Sequence, residues 1–238
     1  EQNFARNVAE IRQVTGWRLA AFLGVFTLAG CARLPVDPLS VSSDASRQWL
    51  AHSEQLLALS AWTLSGRMAV RTGERGGTAT VLWQRMGDHH QLMLFGPFGG
   101  GRVRIVENTA GAELRDNKER IFRGDTAEAV LMKGVGWHVP FRELGFWVRG
   151  LPAPGVLDDL ILDERGRAVR FSQSGWDVDY RAYREVDDLM LPAKVFIAAR
   201  PGTVRVTAAD GADLGDQLSV RISIRTWNDE PEWAERNR

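Results

Sequence analysis

Apolar and polar residues alternate with a period of two over most of the chain. Trp62, Leu64, Gly66, Met68 and Val70 alternate with Thr63, Ser65, Arg67, Ala69 and Arg71, the pattern of a strand with one apolar face. After a turn at Gly73–Gly77, strands are predicted over Thr78–Arg85 and Gln91–Phe95, each apolar on both faces around Val81-Leu82-Trp83 and Met93-Leu94-Phe95. Arg102–Glu107, Ala112–Asp116 and Arg120–Arg123 continue the series, with Gly111 and Asn117 as punctuation. The alternation then stops. Asp125 is placed to cap a helix through Ala127, Val130, Leu131 and Met132, and a second short helix is expected at Phe141–Arg149, between Pro140 and Leu151-Pro152. Strands resume at Ala168–Gln173, Trp176–Tyr183, Ala193–Ala199, Val204–Thr207 and Leu218–Trp227. Ahead of them all, Trp49, Leu50, Leu56, Leu57 and Leu59 recur roughly at helical spacing up to Ala61, with Asp44 or Ser46 as the cap. Runs of strands interrupted by a few helices indicate an α+β chain, mainly β, whose sheet is antiparallel and not doubly wound. Meander pairing is the simplest topology, and about eleven strands predict a highly curved sheet or an unclosed barrel.

The N-terminal pattern is of another kind. Arg12 and Arg18 precede an apolar run from Leu19 to Leu28, which ends in Leu28-Ala29-Gly30-Cys31. A basic segment, a short apolar segment and a small-residue cleavage site are the order of a secretory signal. The run is too short to cross a bilayer as a helix, which takes about twenty residues. Its ending resembles the lipobox of bacterial lipoprotein precursors. That resemblance implies that Cys31 is alkylated with diacylglycerol, exposed by cleavage after Gly30 and acylated on its new amino group. Ala32, and not Asp, follows the cysteine, which by the same resemblance favours the outer membrane, on its periplasmic face. The expected organisation is a signal peptide over 1–30, a flexible tether over 31–46 rich in Pro, Ser and Asp, one domain over 47–228 and a charged tail over 229–238.

Composition narrows the function. Lys and Arg number 30 and so do Asp and Glu, with no basic run interleaved with aromatics, which argues against nucleic acid. The single cysteine leaves the mature domain no internal disulfide. Nine Trp and ten Phe against two Tyr suit a large core or a surface that meets lipid. His89-His90 read as solvated imidazoles in a turn, and no ligand type lies at a chelating offset beside them, so no metal site is expected. Asp158-Asp159 and Asp187-Asp188 read as loop carboxylates. Ser172-Gln173-Ser174-Gly175 is not a nucleophile elbow, His138 has no visible partner, and Gly99-Gly100-Gly101 is neither a Walker loop nor a dinucleotide fingerprint. Neither an enzyme nor a cofactor is expected.

Gly96-Pro97-Phe98-Gly99 sets a large apolar residue between chain-reversing ones. Phe98 either folds back on the sheet or forms a lipid-inserting tip, and the residues themselves leave both open. At this point the sequence resembles the outer-membrane lipoprotein receptor family LolB, from roughly Trp49 to Trp227. The resemblance rests on the lipobox cysteine, Trp-x-x-x-Gly-Arg at Trp62–Arg67, Trp83-Gln84, Gly96-Pro97-Phe98-Gly99-Gly100, Leu144–Pro152 with Trp147, Gln173-Ser174-Gly175-Trp176 followed by Tyr180, and Leu191-Pro192. It implies an unclosed barrel lidded by helices around an apolar cavity, the LolA/LolB-like fold. It also implies a protein that accepts lipoproteins from a LolA-like periplasmic carrier and inserts them into the outer membrane. The family carries Leu at the position matching Phe98, with a role in membrane insertion. The longer Gly99-Gly100-Gly101 run and the charged tail depart from the family pattern.

Inward strand positions that would line such a cavity are Leu64, Met68, Trp83, Leu92, Leu94, Phe171, Val195 and Ile222, although the same alternation describes a sealed core equally well. The expected partners are the carrier, acylated client lipoproteins and the inner leaflet of the outer membrane, met by a monomer. Carrier docking is expected to use basic residues near the opening, without a choice among Arg67, Arg85, Arg102 and Arg104. The alternative is a structural lipoprotein that scaffolds an outer-membrane assembly.

Overall fold

The computed structural model describes residues 43–73, 75–96, 101–136, 138–207 and 213–228. The alternating segments become β1 (Ala61–Thr72), β2 (Arg75–Met86), β3 (His89–Gly96), β4 (Gly101–Asn108), β5 (Gly111–Arg115) and β6 (Ile121–Gly124), followed by β7 (Asp158–Leu162), β8 (Ala168–Gln173), β9 (Trp176–Val186), β10 (Leu189–Ala199) and β11 (Leu218–Asn228). They form one 11-stranded sheet in the order β6-β5-β4-β3-β2-β1-β11-β10-β9-β8-β7. Each neighbouring pair is antiparallel. Two meanders, β1 to β6 and β7 to β11, therefore meet at a single seam, and β6 and β7 remain as free edges. The sheet is unclosed, as the pattern predicts.

Helix α1 (Ser43–Ala58) precedes the sheet, and α2 (Ala127–Val135) and α3 (Phe141–Trp147) lie between β6 and β7. α1 starts inside the stretch expected as tether, because Asp44 and Arg47 already sit on a helical turn and Ala45 is buried. Thr126, and not Asp125, caps α2, its hydroxyl accepting the Ala129 N–H at 3.2 Å. Two strand assignments change. β7 begins at Asp158, where carboxylates were expected in a loop; its register against β8 is irregular, which hides the period-two pattern. Val204–Thr207 is no strand of the sheet: Val206 exchanges backbone hydrogen bonds with Leu214 and Gly215, and Val204 and Val206 are buried as a loop that packs on the core. The expected strand count thus holds because the loss of Val204–Thr207 is offset by the unexpected β7.

The seam explains Gly66. Ser65 pairs with Thr226 but Gly66 pairs with Ile224, so β11 carries an extra residue there as a bulge. A Cβ on Gly66 would lie 2.1 Å from the Ser223 carbonyl oxygen and 2.9 Å from Ile224 Cα, a clash with backbone that no rotamer relieves. Behind the seam Trp62 is fully buried, with Trp83 edge-on at 5.4 Å and Trp227 at 5.7 Å, and Trp227 Nε1 donates to the Pro192 carbonyl at 2.9 Å. Such aromatic pairs add about 0.5–1.5 kcal/mol each beyond their buried area. All described residues belong to one compact unit, 40–238, so the chain after Cys31 carries the whole sheet and core.

Gly66→Ala is expected to lower the unfolding free energy by about 1–3 kcal/mol, the usual cost of overpacking. Urea unfolding followed by tryptophan fluorescence checks this, since Trp62 and Trp227 report on the same joint.

Candidate functional site

The concave side of the N-terminal meander holds an apolar cavity of about 510 Å³. That size is typical of sites for small organic ligands. Leu64 and Met68 of β1, Trp83 of β2, Leu92 and Leu94 of β3 and Ile222 of β11 line it, six of the eight positions named from the pattern. Leu131 and Val135 of α2 and Phe141 and Leu144 of α3 cover it from the other side. Phe171 and Val195 do not line it. Phe171 packs against Trp147 and Tyr180, with ring centroids at 6.5 and 6.0 Å, and Val195 pairs with Tyr180 across β9 and β10. The interior of the C-terminal meander is filled by the end of α3, which turns an inward strand position into sealed core.

Hydrogen bonds to buried polar side chains hold that filled half. Gln173 Oε1 accepts from Trp147 Nε1 at 2.9 Å and from the Ala153 N–H at 2.8 Å, while its Nε2 donates to the Ala153 carbonyl at 2.7 Å. The Tyr180 hydroxyl donates to the Trp147 carbonyl at 2.7 Å, and burial pushes its pKa well up. Arg149, 1% exposed, donates from Nε to the Gly145 carbonyl at 3.0 Å and from Nη1 to the Leu56 and Leu59 carbonyls at 2.9 and 3.2 Å. Burial lowers its pKa to about 10, which leaves it charged at neutral pH. The cation thereby ties the C-terminal end of α1 to the end of α3, where the helix dipole of α1 favours positive charge. On the open half, Glu107 accepts the Ala127 N–H at 2.8 Å and Glu128 accepts the Arg142 N–H at 2.8 Å, which joins β4 to α2 and α2 to α3.

The cavity's mouth is polar. Thr72, Arg75, Asp116, Asn117, Lys118 and Arg120 are the polar side chains of its lining, at the β1–β2 and β5–β6 turns. Asp116 shapes the β5–β6 turn by accepting from the Lys118 and Arg120 N–H groups, both at 2.9 Å, and from Arg120 Nε at 2.7 Å. Burial opposes its ionisation, yet these donors outweigh it and hold the carboxyl below its usual range. None of Arg67, Arg85, Arg102 and Arg104 lines the cavity; the mouth cations are residues that charge and spacing had not distinguished. Gly96 ends β3 with φ +119 and pairs with Gly101. A Cβ on Gly101 would lie 2.1 Å from Asn117 Cβ, so the base of the β3–β4 hairpin packs directly on the mouth. Pro97, Phe98, Gly99 and Cys31 lie outside the described residues, as do 1–42 and 229–238.

His90 departs from the expected solvated turn. β3 begins at His89, so His90 shares the inward face with Leu92 and Leu94, a consequence of period two. Its ring sits 5.7 Å from Phe141 and 6.1 Å from Trp83. Burial, with Arg85, Arg149 and His89 nearby, lowers its pKa to about 4. Among the described residues no group of three or more His, Cys, Asp or Glu side chains is placed to hold a metal ion, and His138 is exposed.

An unclosed antiparallel barrel with an apolar chamber roofed by helices defines a protein built to bind apolar ligands. Residues 60–227 match the family model described as outer membrane lipoprotein LolB. The outer-membrane lipoprotein LolB of Chromohalobacter salexigens is 36% identical over 186 residues, covering 77% of this chain and 83% of that protein. The protein of the same name from Pseudomonas aeruginosa is 32% identical over 213 residues, covering 88% and 96%. A solved LolA superfamily protein from Nitrosomonas europaea superposes with a TM-score of 0.42 at 9% identity, covering 81% of this chain and 97% of that one. The chain belongs to the outer membrane lipoprotein LolB family.

His90 makes stability depend on pH. Its imidazole takes a proton near pH 6.5 when unfolded but only near about 4 when folded, so the unfolded chain binds more protons between these values. Stability therefore falls as pH drops through that window, by on the order of 3 kcal/mol from this residue. His52 and His89 shift in the same direction, so His90→Gln is expected to flatten the dependence without abolishing it. Urea midpoints at several pH values measure the difference.

Proposed function

We propose that this protein is a lipid-anchored receptor that takes acylated lipoproteins from a LolA-like periplasmic carrier and inserts them into the outer membrane. The apolar cavity, roofed by α2 and α3, is the observation that carries this reading. An acyl chain costs about 0.8 kcal/mol per CH₂ to expose to water, so a client must move from one apolar shelter directly to another. Leu64, Met68, Trp83, Leu92, Leu94 and Ile222 supply that shelter, and the flexible Met68 adapts to a chain of no fixed shape. The polar mouth leaves the client's protein part in water. Release runs down a gradient of affinity, because a site can shift an equilibrium only by its differential affinity for the two states.

In this reading Cys31 holds the protein, as a monomer, at the inner leaflet of the outer membrane, and Phe98 is the tip that enters it. The hairpin that carries Phe98 packs on the mouth through Gly101 and Asn117, which supports placing the exit beside the membrane. A scaffold would be better served by a filled interior, which half of this sheet has and the other half lacks.

Transfer of a fluorescent acylated client from its carrier to liposomes tests both assignments. Leu94→Glu sets a carboxylate on the cavity wall and is expected to abolish client acceptance. Phe98→Glu is expected to leave acceptance intact and to slow delivery roughly ten- to a hundredfold, the equivalent of about 1.5–3 kcal/mol of lost apolar burial. If the wild type accepts no client, the receptor reading fails.

A further inference from the structure

On the convex face, the adjoining strands β4-β3-β2-β1-β11-β10 carry cations without acids, while Glu113 of β5 and Asp177 and Asp179 of β9 flank them already paired with Arg123, Arg200 and Arg170. Directly paired positions run from Lys194 on β10 to Ser223 on β11, Arg67 on β1, Thr80 on β2, Phe95 on β3 and Arg102 on β4. All six are exposed. With strands about 4.8 Å apart, this single row spans roughly 24 Å. Arg221 flanks it, opposite Ala69 of β1 and 5.7 Å above the Phe196 ring, and Arg71 lies on the same face of β1. β1, β2, β3, β10 and β11 contain no Asp or Glu, and the one acid of β4, Glu107, caps α2 on the other side of the sheet. Among the described residues, none of Arg67, Arg71, Arg102, Lys194 and Arg221 forms an ion pair with an acid. In a chain with as many acids as bases, Arg221 of β11 diagonal to Arg67 and Arg71 of the adjacent β1, with Lys194 and Arg102 extending the same sign to either side, is a repulsive arrangement that an anionic partner would relieve.

The row's chemistry points to the partner. Cationic and hydroxyl donors alternate from Lys194 through Ser223 and Arg67 to Thr80, and both suit phosphate oxygens. Phe95, 37% exposed, stands in the same row beside Arg102, one residue from the end of β3 where the Gly96-Pro97-Phe98-Gly99 hairpin begins. An exposed aromatic set in line with cations offers a contact for acyl chains beside contacts for headgroups. An acidic protein would be met by charge alone and gives no reason for Phe95. We infer that this convex face docks the protein on a bilayer rich in anionic phospholipid, orienting the hairpin and the cavity mouth toward the leaflet. The inference deepens the receptor reading and rests on it for the biological setting.

The test uses the chain from Ala32 onward, so that no acyl anchor contributes, and vesicles of phosphatidylethanolamine alone or with phosphatidylglycerol. Binding is expected to require phosphatidylglycerol and to weaken with salt. Replacing Lys194, Arg67 and Arg102 together by Gln is expected to lower vesicle partitioning roughly a hundredfold, about fivefold per cation. Arg67→Lys with Arg102→Lys retains most of the binding, which separates charge from folding. Equal binding to both vesicles, or no effect of the triple Gln variant, overturns the inference. So does a triple variant that still binds vesicles but no longer accepts client from the carrier, since the face would then belong to the carrier. Lipid-dependent binding by a wild-type chain that accepts no client would sink the receptor reading alone.

Discussion

The pairing of β1 with β11 is the joint on which the rest of the molecule depends. Each meander is held by local hairpins, but only this pair joins the first strand of one to the last strand of the other. Its contacts are the most distant in sequence and are the last that chain entropy allows. A glycine that tolerates backbone contact, a bulge in β11 and three interlocking tryptophans concentrate at that line. A seam of this kind bends the sheet without closing it, because β6 and β7 end the order on either side.

From the seam outward the two halves solve the same problem differently. The C-terminal half fills its interior with Trp147, Phe171, Trp176 and Tyr180, and satisfies the polar atoms this buries through Gln173 and Arg149. The N-terminal half lays α2 and α3 across its open side and leaves space beneath them. A well-packed half adjoining a loosely filled one is a physical requirement for such a chamber: the space costs packing energy, and a rigid neighbour has to hold its walls apart. Arg149 sits where the two meet, tying α1 to the end of the roof helix α3.

The mouth, the hairpin and the convex row are consequences of the same geometry. Gly101 packs on Asn117, so the hairpin stands beside the opening, and Phe95 and Arg102 at its base are the last members of the cationic row. Apolar interior, polar rim and basic exterior thus follow from one strand set read on its two faces. Leu94 faces the cavity while Phe95 faces out, and Val103 faces the cavity while Arg102 and Arg104 are exposed.

Local patterning was sufficient for most of this. The period-two stretches of β1 to β5 and β8 to β11, the two helices after β6 and the meander order inside each half are legible because strands there pair with their sequence neighbours, whereas the β1–β11 seam, and with it the choice of β6 and β7 as free edges, is not. Six of the eight cavity residues follow from the face that alternation selects. The sequence was silent where the answer depends on what comes to lie opposite. Phe171 and Val195 have the same inward pattern as Leu94, and only the docking of Trp147 makes them core. His90 lost its solvent to Phe141, which lies 51 residues along the chain. Val204 and Val206 alternate like a strand but find no partner in the sheet, and β7 pairs despite two leading aspartates. Composition and periodicity determine which side of a strand is apolar; whether that side meets a neighbour or a space is decided by long-range packing, which no local pattern records.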